Sequence, residues 1–225
     1  LTLTNASQAQ LGEDLAVVYI LDDDQNVPAG DETVLDISYL NSYTVDANGT
    51  AEITDYDPTT EQLYVVNNTS IEVVSLADPL NPSSVNTIDI TPYGATAQSV
   101  AIKNGLLAIA VSNAIETDNG FVVLMNPDGS NPISLEAGAL PDMLTFTNDG
   151  NTLLVANEGE PADDYSTDPE GSISLIDVSA GLTNITQADV TNLNFNSFDS
   201  QKAALNAAGV RIYGVNSSVS QDVEP

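Results

Sequence analysis

The 225-residue sequence contains no cysteine and no histidine, and only three of its residues are Lys or Arg. Without cysteine there is no disulfide framework, thiolate nucleophile or Cys-ligated zinc, and without histidine the commonest metal ligand and imidazole base are missing. The longest apolar runs cover six or seven residues, at 15–21 and 106–111, far fewer than the ~20 that span a bilayer. We therefore expect no membrane insertion, and site chemistry that uses carboxylates, hydroxyls, amides or tyrosine.

The charge of the chain is strongly one-sided. The 33 Asp and Glu residues are opposed only by Lys103, Lys202 and Arg211, so the net charge is −30. Surfaces that bind nucleic acid need clustered Lys and Arg, so we expect no nucleic-acid partner. Hydrophobic residues make up 42% of the chain, which is enough for a packed core. Acidity without cysteine favours a secreted or cell-surface protein, because extracellular salt screens self-repulsion and divalent cations are plentiful there. A chain that begins at Leu1 without Met is consistent with a processed polypeptide.

A repeat of about 45 residues organises the sequence. Three β-rich segments open with a polar residue and carry an Asn 15 positions later, at offsets of 46 and 44 residues between segments. These pairs are Glu52 and Asn67, Gln98 and Asn113, and Asp142 and Asn157. Asn104-Gly105 and Asp149-Gly150 predict hairpins in which both turn residues have positive φ. A third β-rich run follows each pair, and a fourth, weaker run follows the first two pairs. Four short strands per repeat are typical of a β-propeller blade; the alternative is an antiparallel sandwich with coincidental spacing.

The repeat predicts an all-β fold, a partial β-propeller of about three to four four-stranded blades. Three blades are expected within residues 45–192. Because propellers typically have four to eight blades, we expect the remainder of the propeller, or another chain, to complete it. Residues 1–44 are expected to supply strands, from 15–21 and 34–43, that pack on a neighbouring blade.

The C-terminal segment, residues 193–225, is predicted to connect to a missing next blade. It contains one short helix-like stretch, from Gln201 to Ala208. Asp199 or Ser200 is the expected N-terminal cap, and Gly209 is the expected stop.

Six motifs occur in a recognisable order along the chain. They lie at 51–58, 138–147, 154–165, 168–174, 208–214 and 220–225. The most specific reads Leu-Val-Ala-Asn-Glu-Gly-Glu-Pro-Ala-Asp-Asp-Tyr, at 154–165. With these motifs the sequence resembles the bacterial choice-of-anchor I propeller family, which is also described as similar to the mesenchyme-specific cell surface glycoprotein. The resemblance implies a secreted or surface-anchored propeller of about seven blades, of which this chain is a part. Some family members are labelled alkaline phosphatase.

An acidic insertion between two β-rich runs places six carboxylates within thirteen residues. Calcium prefers six to eight oxygen ligands from flexible acidic loops, so this segment is a candidate calcium site. The spacing is not that of an EF-hand, and the alternative is a solvated surface loop. The candidate ligands are Glu158, Glu160, Asp163, Asp164, Asp168 and Glu170.

The repeat also predicts a ring at one mouth of the central channel. The first strand of each propeller blade lines this channel, so Glu52, Gln98 and Asp142 are expected at equivalent positions around it. Such a ring could hold a ligand or a metal. The alternative is that these side chains cap backbone donors of adjacent strands.

Two functions follow from these features. The favoured one is an extracellular acidic propeller that acts as a divalent-cation-dependent binding or surface-assembly module and bridges to polysaccharide, another surface component or neighbouring subunits. The alternative is a calcium-dependent phosphoesterase, alkaline phosphatase-like, in which a cation in the carboxylate-lined channel polarises a phosphoryl oxygen and lowers the pKa of a bound water. The absence of His and Cys weakens the enzyme interpretation. The eight Tyr and four Phe are spread among the predicted strands, which indicates packing roles.

Overall fold

The fold consists of three four-stranded antiparallel sheets that follow one another along the chain, each with its strands in sequence order. A computed structural model describes residues 39–45, 51–210, 212 and 219–222. The first sheet contains β1 (Ala51–Asp57), β2 (Gln62–Asn67), β3 (Ser70–Ser75) and β4 (Ser83–Asp89). The second contains β5 (Ala97–Lys103), β6 (Leu106–Val111), β7 (Asn119–Met125) and β8 (Ile133–Ala139). The third contains β9 (Pro141–Phe146), β10 (Thr152–Asn157), β11 (Ser172–Asp177) and β12 (Val190–Asn194).

The three sheets lie side by side around their first strands. β5 contacts β1 on one side and β9 on the other. The backbone amide of Ile102 in β5 donates to Oδ2 of Asp55 in β1 over 2.7 Å. The amide of Leu144 in β9 donates to Oγ of Ser99 in β5 over 3.3 Å. Successive sheets joined through their innermost strands form a propeller arc rather than a face-packed sandwich, and the predicted all-β partial propeller is confirmed.

Apolar side chains fill the two spaces between successive sheets. In β2, Tyr64 and Val66 face the second sheet, whereas Leu63 and Val65 point to the opposite face. Both faces are buried, which explains why the β2 sequence is a continuous apolar run rather than an alternating one. Full burial of one such side chain contributes about 1.5–3 kcal/mol. The packing between sheets, more than the turns, therefore stabilises the arc.

The two predicted hairpin turns differ in conformation. Asn104 and Gly105 have φ of 52° and 75°, as a two-residue turn requires. The prediction of positive φ at Asp149 is wrong, because only Gly150, with φ of 71°, has it there. In that turn the Gly150 amide donates to the Thr147 carbonyl over 2.8 Å, and Oδ1 of Asp149 accepts from the Thr147 hydroxyl over 2.6 Å. A longer loop with an Asp side-chain bond thus replaces the tight turn.

The N-terminal segment is described only over residues 39–45, which have no regular secondary structure. Tyr43 and Val45 pack on the face of the first sheet that points away from the second sheet. The Tyr43 hydroxyl donates to Oε1 of the buried Glu72 over 3.3 Å. Residues 1–38 lie outside the described residues, so the strand expected from 15–21 and the first half of the one expected from 34–43 stay a prediction.

The C-terminal segment contains the expected short helix in a modified form. Its elements are a 3-10 helix (Asn196–Gln201), α1 (Lys202–Ala207) and α2 (Val219–Asp222). Gly209 follows α1 with φ of 89°, as expected of a stop. The capping prediction is wrong, because no side chain caps α1 and the 3-10 helix leads directly into it. Oδ1 of Asp199 instead accepts from the Ser220 amide over 2.8 Å. None of the helices in the described ranges has the length and apolar character needed to span a membrane.

Candidate functional site

The three predicted channel residues occupy the same place in their sheets. Glu52, Gln98 and Asp142 are each the second residue of an innermost strand, β1, β5 and β9 respectively. Glu52 and Asp142 are exposed and Gln98 is half-buried. The Gln98 amide Nε2 donates to the hydroxyl of Thr96 over 3.0 Å, so this side chain has a local partner. The structure thus places all three at the same end of neighbouring strands.

Electrostatics link two of these residues directly. Partial burial and then the negative charge of Glu52 raise the pKa of Asp142. The charge of Glu52 thus disfavours the ionised form of Asp142, and a cation bound near the two carboxylates would relieve that repulsion. Exposure to solvent weakens this repulsion, so the effect on stability is small. The repeat alone predicted this pair, since its members are 90 residues apart in the sequence.

The acidic insertion forms a closed loop between β10 and β11. At its start the Glu158 amide donates to the Leu140 carbonyl over 2.8 Å, and the Gly159 amide donates to the Ala139 carbonyl over 3.1 Å. Gly159 has φ of 68°, and a Cβ there would lie 2.5 Å from the Gly171 amide nitrogen. Only glycine therefore allows the two arms of the loop to approach at its base.

The six candidate calcium ligands do not converge in this loop conformation. Glu160, Asp163, Asp164 and Glu170 are exposed, and the Asp164 carboxylate accepts from the Ser166 amide over 2.9 Å. Hydrogen bonds from Ser166 lower the pKa of Asp164. Across the ranges that the structure describes, which include the whole loop, no group of three or more acidic side chains could hold a metal ion. Calcium binding here stays a prediction and requires the loop to rearrange around the ion.

The C-terminal helix α2 fastens the acidic loop, a contact that sequence reasoning missed. The Gly171 amide donates to the Ser220 carbonyl over 3.0 Å, and Nε2 of Gln221 donates to the Asp168 carbonyl over 3.3 Å. The Ser220 amide in turn donates to Asp199, and hydrogen bonds from Ser220 lower the pKa of Asp199. No local sequence pattern predicts these contacts, because the paired residues are 21 to 53 positions apart in the chain.

The choice-of-anchor I domain model matches residues 52–225 of the chain, and the chain belongs to that family. No curated protein sequence matches it. Among solved structures, the phage phi92 endosialidase shares 15% identity over 71% of this chain and 28% of that chain, with a TM-score of 0.46. A chain of a nidogen/laminin complex shares 12% identity over 71% of this chain and 58% of that chain, with a TM-score of 0.48. The WD40 domain of SCAP from fission yeast shares 10% identity over 72% of this chain and 44% of that chain, with a TM-score of 0.37. The chain thus spans less than two thirds of each of these solved chains.

Proposed function

We propose that this choice-of-anchor I domain is an extracellular, surface-associated module for binding and assembly, and that divalent cations strengthen its interactions. The family supports a surface location. The net charge of −30 supports a role for divalent cations, because an acidic surface approaches another acidic surface only when its charge is neutralised. The observation that carries the assembly part of the proposal is an apolar face left open on the third sheet.

The open face is formed by side chains of all four strands of the third sheet. Cross-strand pairs place Leu154 beside Leu175 and Ile173 beside Leu193. Met143 is 49% exposed and Leu193 is 48% exposed, while the other members are half-buried. Its apolar members are Met143, Leu154, Ala156, Ile173, Leu175 and Leu193.

The repeat supports a further sheet of the propeller as the partner of this open face. The equivalent face of the second sheet carries Ala110, Val122 and Leu124, and these side chains are buried against the third sheet. Leu154 is related to Ala110 by the repeat offset of 44 residues. We therefore infer that the open face receives a further four-stranded sheet of the same kind, belonging to the remainder of the propeller. Where this further sheet is absent, a second copy of the chain covers the open face instead, because exposed apolar patches favour association.

Sedimentation of the 225-residue chain tests this assembly surface. We expect concentration-dependent self-association that Leu193→Lys weakens at least tenfold, which corresponds to about 1.4 kcal/mol, because the change removes apolar contact and places an unpaired ammonium in the interface. Leu80→Lys is the matched control, because Leu80 is 56% exposed and lies outside the third sheet. A wild-type chain that stays monomeric at all concentrations, or equal effects of the two variants, would argue against the assembly surface.

A calcium titration tests the cation part of the proposal. We expect millimolar calcium to raise the unfolding temperature, because an ion that binds only the folded loop stabilises it by mass action. The combined change of Asp163, Asp164 and Asp168 to Asn should abolish this rise, whereas Asp118→Asn, an exposed carboxylate outside the loop, should not. The absence of any calcium shift in the wild-type chain would remove calcium from the proposal.

The phosphoesterase alternative is tested separately. Hydrolysis of a generic phosphoester by the chain with calcium, abolished by Glu52→Gln and Asp142→Asn, would replace the binding function with a catalytic one. We favour the binding function, since the chain has no histidine or cysteine to transfer protons or attack phosphorus.

A further inference from the structure

A cavity of about 360 Å³ lies at the opposite end of the innermost strands from Glu52 and Asp142. Its lining comes from residues 55–59 at the end of β1, 101–104 at the end of β5, and 145–146 at the end of β9. The three sets are related by the repeat offsets of 46 and 44 residues. The cavity, which we call the axial pocket, is therefore built by the blade repeat itself, at the ends of three consecutive innermost strands.

The two carboxylates that line the axial pocket serve the fold. Asp55 accepts from the Ile102 amide through Oδ2, over 2.7 Å, and from the Tyr56 amide through Oδ1, over 2.8 Å. Asp57 is 9% exposed and accepts from the Thr59 amide over 2.9 Å. Its second oxygen accepts from the Thr60 hydroxyl over 2.8 Å. Every oxygen of both groups thus already accepts a hydrogen bond from the protein.

Other polar groups also line the axial pocket. Lys103 is half-buried, and within the part of the chain that the structure describes its ammonium has no hydrogen-bond or ion-pair partner. Asn104 is exposed at the rim, and the atoms of Lys103 and Asn104 lie beside the Gly150 turn of the third sheet. The ring of Phe146 is half-buried between the second and third sheets and contributes apolar surface. Ammonium and amide groups beside an aromatic ring match the hydroxyls and apolar face of a sugar.

The volume and charge of the axial pocket indicate which class of ligand fits it. A volume of about 360 Å³ is at the lower end of the ~300–1,000 Å³ range of small-molecule sites, which suits the terminal unit of a chain rather than a long segment. Lys103 with Asp55 and Asp57 gives the pocket a charge of −1, and the chain as a whole carries −30. Such a field repels acidic polymers, whereas a neutral ligand pays no electrostatic penalty.

We propose that the axial pocket binds the terminal sugar of a neutral glycan, held by Lys103 and Asn104 and packed against Phe146. This inference rests on the proposed binding function and names a ligand class for it. It places the glycan site at the end of the innermost strands opposite to Glu52 and Asp142, so glycan binding does not depend on calcium.

Calorimetric titration with defined oligosaccharides tests this inference. The probes are cellotetraose, maltotetraose and chitotetraose as neutral chains and tetragalacturonate as an acidic chain, in physiological salt with a calcium chelator. We expect at least one neutral probe to bind and tetragalacturonate not to bind. Lys103→Gln and Asn104→Gly should each weaken binding about tenfold, because each removes a hydrogen bond to the ligand. Glycine keeps the turn, since Asn104 has φ of 52°.

The control and the opposing outcomes separate the pocket from the wider proposal. Phe146→Ala should weaken binding, whereas Phe198→Ala, which removes a ring that is 42% exposed in the C-terminal segment, should leave binding unchanged. Binding that none of the pocket variants alters would overturn the axial pocket and leave the binding function standing. The axial pocket is also overturned if no neutral probe binds, or if tetragalacturonate binds more tightly than the neutral probes. The binding function still stands in these cases as long as self-association through the third sheet persists.

Discussion

Removal of the Asp55 carboxylate should open the arc between its first two sheets. β5 is the innermost strand of its sheet, so one edge of its backbone has no strand partner within that sheet. Asp55 supplies the missing acceptor, because its Oδ2 lies 2.7 Å from the amide of Ile102. Ile102 is only 7% exposed, so water cannot easily replace the lost acceptor. A buried amide without a partner is the main cost of the substitution.

The free-energy cost of Asp55→Ala follows from the type of hydrogen bond that is lost. A hydrogen bond to a charged group contributes about 1.5–3 kcal/mol, and leaving a buried donor unpaired costs about 1–3 kcal/mol. These terms overlap, so we expect Asp55→Ala to destabilise the fold by about 2–3 kcal/mol. For a chain of this size each kcal/mol lowers the unfolding temperature by about 2–4 °C, which gives a decrease of roughly 4–12 °C. Asp55→Asn keeps a carbonyl oxygen in place and should cost about half as much.

Differential scanning calorimetry of the full chain, with urea unfolding as an independent measure, provides the test. Asp118→Ala is the matched control, because Asp118 is an exposed Asp and lies outside the contact between the sheets. Equal unfolding temperatures for Asp55→Ala and Asp118→Ala would refute the reasoning. So would a larger loss for Asp55→Asn than for Asp55→Ala, since the cost would then come from something other than the missing acceptor.

Three further predictions concern the contacts around the innermost strands. Ser99→Ala should cost about 1–2 kcal/mol by urea unfolding, because it leaves the buried Leu144 amide without an acceptor; a loss under ~0.5 kcal/mol would contradict the bond. Gly120→Ala should cost about 1–3 kcal/mol, since its Cβ would overlap the ring of Pro141 in the third sheet, and an unchanged unfolding temperature would contradict this packing. Asp142→Asn should stabilise the chain at neutral pH, because the raised pKa of Asp142 means that its ionised form disfavours folding; the gain should disappear as the pH falls below 3.8, where the unfolded state is also protonated. A smaller gain in a Glu52→Gln background is expected, and a gain that persists at low pH would show that another cause operates.

The blade repeat could be predicted from the sequence because its signals are local. The strands Gln62–Asn67, Thr152–Asn157 and Ser172–Asp177 have the bounds that their runs of apolar and β-branched residues indicate. β12 was not predicted, because three of the five residues of Val-Thr-Asn-Leu-Asn are polar and the strand lies exposed at the edge of its sheet. Strand pairing with β11, rather than propensity, forms this strand.

The candidate site was predictable only where the repeat defined it. Equivalent positions placed Glu52 and Asp142 at the same end of β1 and β9, with β5 between these strands, and the effect of Glu52 on Asp142 agrees with that placement. The acidic insertion shows the limit of composition, because six carboxylates close in sequence do not converge in space. The backbone of the insertion turns at Ala162, whose amide donates to the Thr167 carbonyl and whose carbonyl accepts from the Tyr165 amide, and four of the six carboxylates are exposed. The contacts of Asp199 and α2 depend on distant segments and have no counterpart in local sequence.

Carboxylates that close turns have lowered pKa values, whereas the pKa of Asp142, a candidate ligand, is raised. Asp89, Asp128 and Asp177 each accept the amide and hydroxyl of a Ser or Thr two residues later, and these hydrogen bonds lower their pKa values. Their negative charge is therefore already used to close exposed turns, and it favours folding until the pH falls through these lowered values. Asp142 differs because its pKa is raised, by burial and by Glu52. A cation between these two carboxylates would reverse that direction, so a decrease in the pKa of Asp142 on adding calcium would report occupancy of the channel end even where stability barely changes.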